Sequence, residues 1–280
     1  MTIGRTSTFA MLAIAALLTS SCSSSTKSET VTTAAPVVTA VQTAAANPEK
    51  SPATTASEAP VPEAPVKDFL AAFAQRSSPD AMREGLAYAV PGSAAHTYLS
   101  HQANVSEAAL DSGMPFTDDE LNPKGDAAFE LCNTDPQAKN PCSVFDHFKA
   151  DQSGKIVDFD VSGKQLQSRL VKGNGDAIKA AGASFTLLSA YSSATANNLS
   201  ATIRVETGSK MIMLAEATYR SPDGKQRQAT AMLTPGEIDP KSNAIVAFGF
   251  QGVKPGGKVT IEGCAGNRCS SMFKTTLKVG

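Results

Sequence analysis

Residues Cys142–Gly163 read CSVFDHFKADQSGKIVDFDVSG. Two strand-like runs, CSVFDHFKAD and KIVDFDVSG, flank the turn DQSGK, which is the pattern of an antiparallel hairpin. In the second run Val157, Phe159 and Val161 alternate with Ile156, Asp158 and Asp160. Successive side chains on a strand point to opposite faces. The run therefore predicts one apolar face and one largely acidic face turned to solvent or to a domain interface. A further strand-like run, AAFELC, ends at Cys132 just upstream.

Helical patterning precedes these strands. Phe69, Leu70 and Phe73 stand at helical spacing after Val66, and Ser78 followed by Pro79 forms an N-cap and first helical position. A third helix is predicted in PGSAAHTYLSHQANVSEAAL, capped by Ser93, with Ala94, Tyr98, Ala103 and Val105 as apolar positions. Helices followed by an antiparallel sheet give an α+β domain over residues 66–172. VKGNGDA, with two glycines around Asn174, reads as a linker at 173–177. After it the helical period vanishes and seven strand-like runs fill residues 178–280. In LSATIRVE, Leu199, Ala201, Ile203 and Val205 alternate with Ser200, Thr202, Arg204 and Glu206, as half-buried antiparallel strands do. Seven short strands with regular turns, SPDGK and GCAGNRC among them, favour a β-sandwich.

With its helices first and then a sheet carrying the Cys142–Gly163 hairpin, the segment 66–172 resembles the nuclear transport factor 2-like superfamily of cone-shaped α+β domains. AVPGSAAHTYLSHQ followed by that sheet resembles actinobacterial lipoproteins whose second domain is similar to an immunoglobulin-like sandwich, here 178–280. The superfamily includes isomerases and dehydratases that use an Asp or His inside the cone, and many members without known activity. Fold alone does not choose between them.

The N-terminal region concerns address. Arg5, the apolar run Phe9–Leu18 and the small residues Thr19–Ser21 have the layout of a secretory signal over residues 1–21. Ten apolar residues fall short of the roughly 20 that a spanning helix needs. Cys22 directly behind the small residues resembles the lipobox of bacterial lipoproteins, with Thr19 where a Leu is usual. The resemblance implies a lipidated Cys22 on the outer face of the cytoplasmic membrane; ordinary signal cleavage is the alternative. Residues 22–65, rich in Ser, Thr, Ala and Pro, read as a disordered stalk.

The chain has five cysteines. An odd count in an exported protein leaves one to explain, which suits a lipidated Cys22. The other four form two local pairs, Cys132 with Cys142 and Cys264 with Cys269, which suit disulfides in an oxidising compartment. Free thiols are the alternative, and the spacings do not match a four-thiolate zinc site.

Candidate chemistry is sparse. A net charge of −1 gives no basic surplus for nucleic acid, and the absence of Trp with only four Tyr disfavours a carbohydrate-stacking module. His147, flanked by Asp146 and near Asp158 and Asp160 in the hairpin, is the candidate binding group; inside a cone such a set performs acid/base work. His96 and His101, five apart, do not share a helix face and read as surface residues. GVKPGGKV at Gly252–Val259 comes near a phosphate loop, but Val259 replaces the magnesium-holding hydroxyl and a strand follows, so it reads as a β-turn. Met211 and Met213 read as core, on one strand face with Ala215 and Tyr219. No catalytic residue, metal site or cofactor is assigned. The expectation is a non-enzymatic envelope lipoprotein, membrane-held by its lipid, that binds an envelope protein or a small ligand. The alternative is an isomerase- or dehydratase-like enzyme using His147 and a nearby Asp.

Overall fold

The first described element is a helix whose start overlaps the expected stalk. The computed structural model describes residues 61–125, 127–134 and 142–280. The expected signal segment, Cys22 and the expected stalk up to residue 60 lie outside the described residues. Helix α1 (Glu63–Ala74) starts with Glu63 in its first turn, where a carboxylate complements the helix dipole, and buries Val66, Phe69, Leu70 and Phe73. The expected stalk boundary at residue 65 is therefore overlapped by helix from Glu63 onward.

Helix α2 (Pro79–Glu84) is capped by Ser78, whose Oγ accepts from the Ala81 amide. Helix α3 (Ala94–Asp111) is capped by Ser93, accepting from the His96 amide. Five strands follow in one antiparallel sheet, in spatial order: β1 (Asp119–Pro123), β2 (Phe129–Asn133), β3 (Cys142–Ala150), β4 (Ile156–Val161) and β5 (Lys164–Gln165). Strand β1 has no counterpart in the sequence reading, because DELNP carries no apolar alternation.

The hairpin β3–β4 is not regular. Asp146 pairs with Asp160 and Lys149 with Asp158, so two residues, His147 and Phe148, oppose one, Phe159. This is a β-bulge, with His147 at φ +50°. The acidic face expected to meet solvent is only half present. Asp158 is buried, with Lys149, Gln165 and Gln167 around it. Burial pushes its carboxyl pKa up, and backbone hydrogen bonding and Lys149 oppose the shift.

The remaining strands form two antiparallel sheets. One has the order β11 (Gln226–Gln228), β10 (Ile212–Arg220), β14 (Gly257–Ala265), β15 (Ser271–Val279). The other runs β12 (Ala231–Leu233), β13 (Asn243–Gln251), β9 (Asn198–Thr207), β8 (Ala183–Ser192), β6 (Leu170–Lys172), with β7 (Ala177–Ala180) also on β8. Their inner faces share one core, including Phe185, Ile203, Phe248, Tyr219, Ile261 and Leu277.

Two strands differ from the pattern the sequence predicts. QRQATAML is not one strand: β11 and β12 belong to different sheets, and the chain crosses between them at Ala229 and Thr230. A bulge between Leu214 and Glu216 switches the inward face of β10. Ile212 and Leu214 point to the core before it, and Ala217 and Tyr219 after it. Met213 thus lies on the other side and is only half-buried, not on the core face with Tyr219.

A second core holds the first sheet against the helices, through Phe69, Phe73, Tyr98, Phe145 and Phe159. Helix α3 also packs on the outer face of the six-stranded sheet, where Ala108 meets Ile245 and Ala247. The described residues fall in one compact unit. With sheets on two sides, α3 buries Ala95, Leu99, His101, Ala103, Ser106 and Ala109 around its circumference.

Candidate ligand-binding site

A cavity of about 450 Å³ opens between the five-stranded sheet and the β8–β9 turn. Its apolar wall comes from aromatic residues that each element buries for its own packing. Phe73 ends α1, Tyr98 projects from α3, Phe145 from β3 and Tyr191 from β8. The rings meet edge-on or tilted: Phe73 and Tyr98 at 5.4 Å, Phe73 and Phe145 at 5.5 Å, Tyr98 and Tyr191 at 4.9 Å between centroids. Such geometry suits the ring quadrupoles and makes a stiff wall. Burial, reinforced by the neighbouring Tyr191, holds the Tyr98 phenol well above its usual pKa. Tyr98 therefore stays a neutral hydrogen-bonding group.

The polar side of the cavity is an ion pair. Arg76, just past the end of α1, stacks its guanidinium 4.4 Å over the Phe116 ring and stands 3.7 Å from the Asp119 carboxylate. The Asp119 side chain is only 9% exposed, and its Oδ1 has no hydrogen-bond partner. Burial pushes the Asp119 pKa up, while Arg76 pulls it down. An unsatisfied buried carboxylate oxygen costs on the order of 1–3 kcal/mol unless something donates to it. The cavity thus joins a neutral aromatic wall to an acceptor lacking a donor, the usual make-up of a small-molecule pocket.

The residues singled out by sequence lie elsewhere. His147 projects from the β3 bulge with its ring 75% exposed, Nδ1 standing 3.3 Å from Asp146 and 3.2 Å from Asp160. Its ring edges a separate hollow of about 400 Å³ beside Val66, Ala128 and Phe148. The three groups have metal-like proximity, their ligand atoms lying within 4.8 Å of one another. A hydrogen-bond contact between His147 Nδ1 and Asp160 Oδ2 holds the group together. Asp158 is not part of it. The bulge carries His147 outward and sets Asp158 opposite Lys149.

The cysteines stand in bonded pairs, Cys132 with Cys142 across β2 and β3, and Cys264 with Cys269 at the β14–β15 turn. Cys22 lies outside the described residues. His101, read as a surface residue, is fully buried. Its Nδ1 is 2.9 Å from Ser189 Oγ and its Nε2 2.7 Å from Ser200 Oγ. Ser189 continues to Thr202 at 2.9 Å, and Ser200 Oγ donates to the Tyr191 carbonyl. A neutral imidazole, one nitrogen donating and one accepting, fits this chain. Burial lowers the His101 pKa to about 3. His96 is half-buried, and burial, then Lys172, lowers its pKa.

Arg76, Asp119, Tyr98 and Tyr191 escaped the sequence reading as a site. Tyr98 was legible only as an apolar helix position, and Asp119 lies in a stretch without periodicity. The one available signal was the inward Tyr, whose hydroxyl needs a partner wherever it is buried. The sequence matches no family model, and no curated protein matches it.

Proposed function

We propose that this is a non-enzymatic cell-envelope protein, lipidated at Cys22 and carried on a stalk, that binds a small ligand in the cavity walled by Phe73, Tyr98, Phe145 and Tyr191. The observation that carries the binding reading is the Asp119 side chain, nine-tenths buried at the cavity, with Arg76 standing 3.7 Å from its Oδ1, beyond hydrogen-bond distance. A ligand that is mostly apolar and bears one hydrogen-bond donor fits both halves of the site. The isomerase-like reading needs His147 inside a closed apolar pocket, and the exposed ring on the bulge offers it no support.

The architecture is proposed on the same footing. Helices packed on a curved antiparallel sheet are what a nuclear transport factor 2-like domain has. Strand order β8-β9-β13-β12 against β11-β10-β14-β15 is what an immunoglobulin-like sandwich has, its ABED sheet facing the sheet built on C, F and G.

Screening small aromatic amines and alcohols against the full chain by amide-shift NMR tests the site. Binders should perturb residues 73–76, 119 and 191–196, and Asp119→Asn or Tyr98→Ala should weaken them at least tenfold. Binders that map to His147 and survive both substitutions would refute the cavity reading. Intact mass of the native protein, with and without Cys22→Ala, tests the anchor.

A further inference from the structure

The outward face of the sheet β11-β10-β14-β15 is polar, and its cross-strand rows match complementary groups. In the register of β14 and β15, Lys274 Nζ donates to Glu262 at 2.6 Å, and the Thr260 and Thr276 hydroxyls lie 2.9 Å apart. The next row differs. Arg220, Lys258 and Lys278 stand directly opposite one another on three adjacent strands, all exposed. Adjacent strands lie about 4.8 Å apart, so the backbone positions that carry the three cations fall within roughly 10 Å. Like charges placed opposite each other are destabilising. Among the described residues, no ion pair involves any of the three. The nearby Lys225 is taken by Asp223 at 3.1 Å.

This row borders a hollow of about 500 Å³ whose other walls are Ser221, Pro222 and glycines 224, 256, 257 and 280. The hollow is built by the loop ahead of β14, the GVKPGGKV stretch. Tyr219 fixes that loop from below, its hydroxyl donating to the Lys254 carbonyl at 2.7 Å and accepting from the Gly257 amide at 2.9 Å. A Cβ on Gly257 would sit 2.2 Å from the Arg220 carbonyl, so only glycine lets the loop lie this close. Lys258 and Arg220 are therefore held on a stiff floor while no side-chain bulk fills the space above them.

We propose that this corner is an anion site for the phosphate group of a small soluble molecule, held between Arg220, Lys258 and Lys278. Concave shape and glycine walls favour a compact anion over a bilayer. A membrane-docking face adds apolar side chains that insert between lipids; of the exposed large hydrophobic residues, Met272 stands on this sheet at the far end of β15, six residues from Lys278, and Tyr88, Leu110, Met114 and Ile178 belong to other elements. The site is separate from the aromatic cavity and shares no wall with it.

Pyrophosphate titrated into the full chain at low ionic strength, followed by amide shifts and calorimetry, is the test. The expected result is shifts confined to residues 220–224, 254–258 and 278–280 and affinity that falls with added salt. Lys258→Gln with Lys278→Gln should lower affinity at least tenfold, while Lys274→Gln, which removes an already paired charge on the same face, should leave it within twofold. Equal losses from both sets would mean general attraction by surface charge and would overturn the site. So would the absence of pyrophosphate binding at millimolar concentration, including the case in which phosphatidylglycerol vesicles alone bind through the same lysines.

Discussion

Acid should loosen this protein chiefly through His101, the histidine whose pKa the fold lowers furthest. In the folded chain its ring is buried at the junction of α3 with β8 and β9, bonded to Ser189 and Ser200. The folded pKa is lowered from 6.5 to about 3. Below pH 6.5 the unfolded chain takes up a proton that the folded chain refuses, so stability present at neutral pH is lost as the pH falls. The gap corresponds to about 2 kcal/mol lost by pH 5 and between 4 and 5 kcal/mol by pH 3. Urea unfolding of the full chain at pH 7, 6 and 5 measures it, with His101→Gln as the comparison. Glutamine keeps one donor and one acceptor but does not titrate, and at pH 7 it should cost roughly 1–3 kcal/mol through imperfect hydrogen bonds. Carboxylates contribute equally to both curves, so the difference isolates the imidazole. If the variant loses as much stability between pH 7 and 5 as the parent, His101 is not held neutral and the reasoning fails.

Three further outcomes are expected. Gly257→Ala should destabilise by about 2 kcal/mol or more, because its Cβ would meet the Arg220 carbonyl and the Tyr219 ring, and thermal unfolding reads this directly. Lys278→Gln should raise stability by a few tenths of a kcal/mol at low salt by relieving the cation row, with the gain vanishing near 1 M salt; a loss at low salt would contradict it. Replacing Cys132 and Cys142 together by Ser should cost roughly 2–3 kcal/mol in chemical unfolding by releasing a ten-residue loop, and non-reducing peptide mapping should find only the two local bridges.

Elements with strong local chemistry were legible in the sequence. Ser78 with Pro79, and Ser93, announce helix starts because a side-chain oxygen must satisfy an amide that the helix leaves bare. LSATIRVE announces its strand because Leu199, Ala201, Ile203 and Val205 all lie on the core face of β9. The local cysteine pairs were legible because short separations need no long-range knowledge. What was lost depends on which surfaces meet. The hydroxyls of Ser200 and Thr202 look like a solvent face until α3 covers them. His101 looks like a surface residue until a second sheet closes over its side of the helix.

Bulges explain the rest, and they bear on where function sits. A single extra residue exchanges the two faces of a strand from that point on. In β10 the irregularity after Leu214 moves Met213 off the core face that Tyr219 occupies, and alternation counted from Met211 gives the wrong answer for both methionines. In β3 the same device turns His147 out of the sheet and leaves Asp158 enclosed. The candidate chemistry of the hairpin was thus read from a register the chain does not keep. The cavity residues were invisible for the opposite reason. Phe73, Tyr98, Phe145 and Tyr191 follow ordinary packing rules, and Arg76 and Asp119 lie beyond the ends of periodic segments. Only tertiary structure brings the Arg76–Asp119 pair and the four rings to one cavity. A test on Asp119 therefore asks more of the fold than a test on His147, since its environment exists only when helices, curved sheet and β8–β9 turn are all in place.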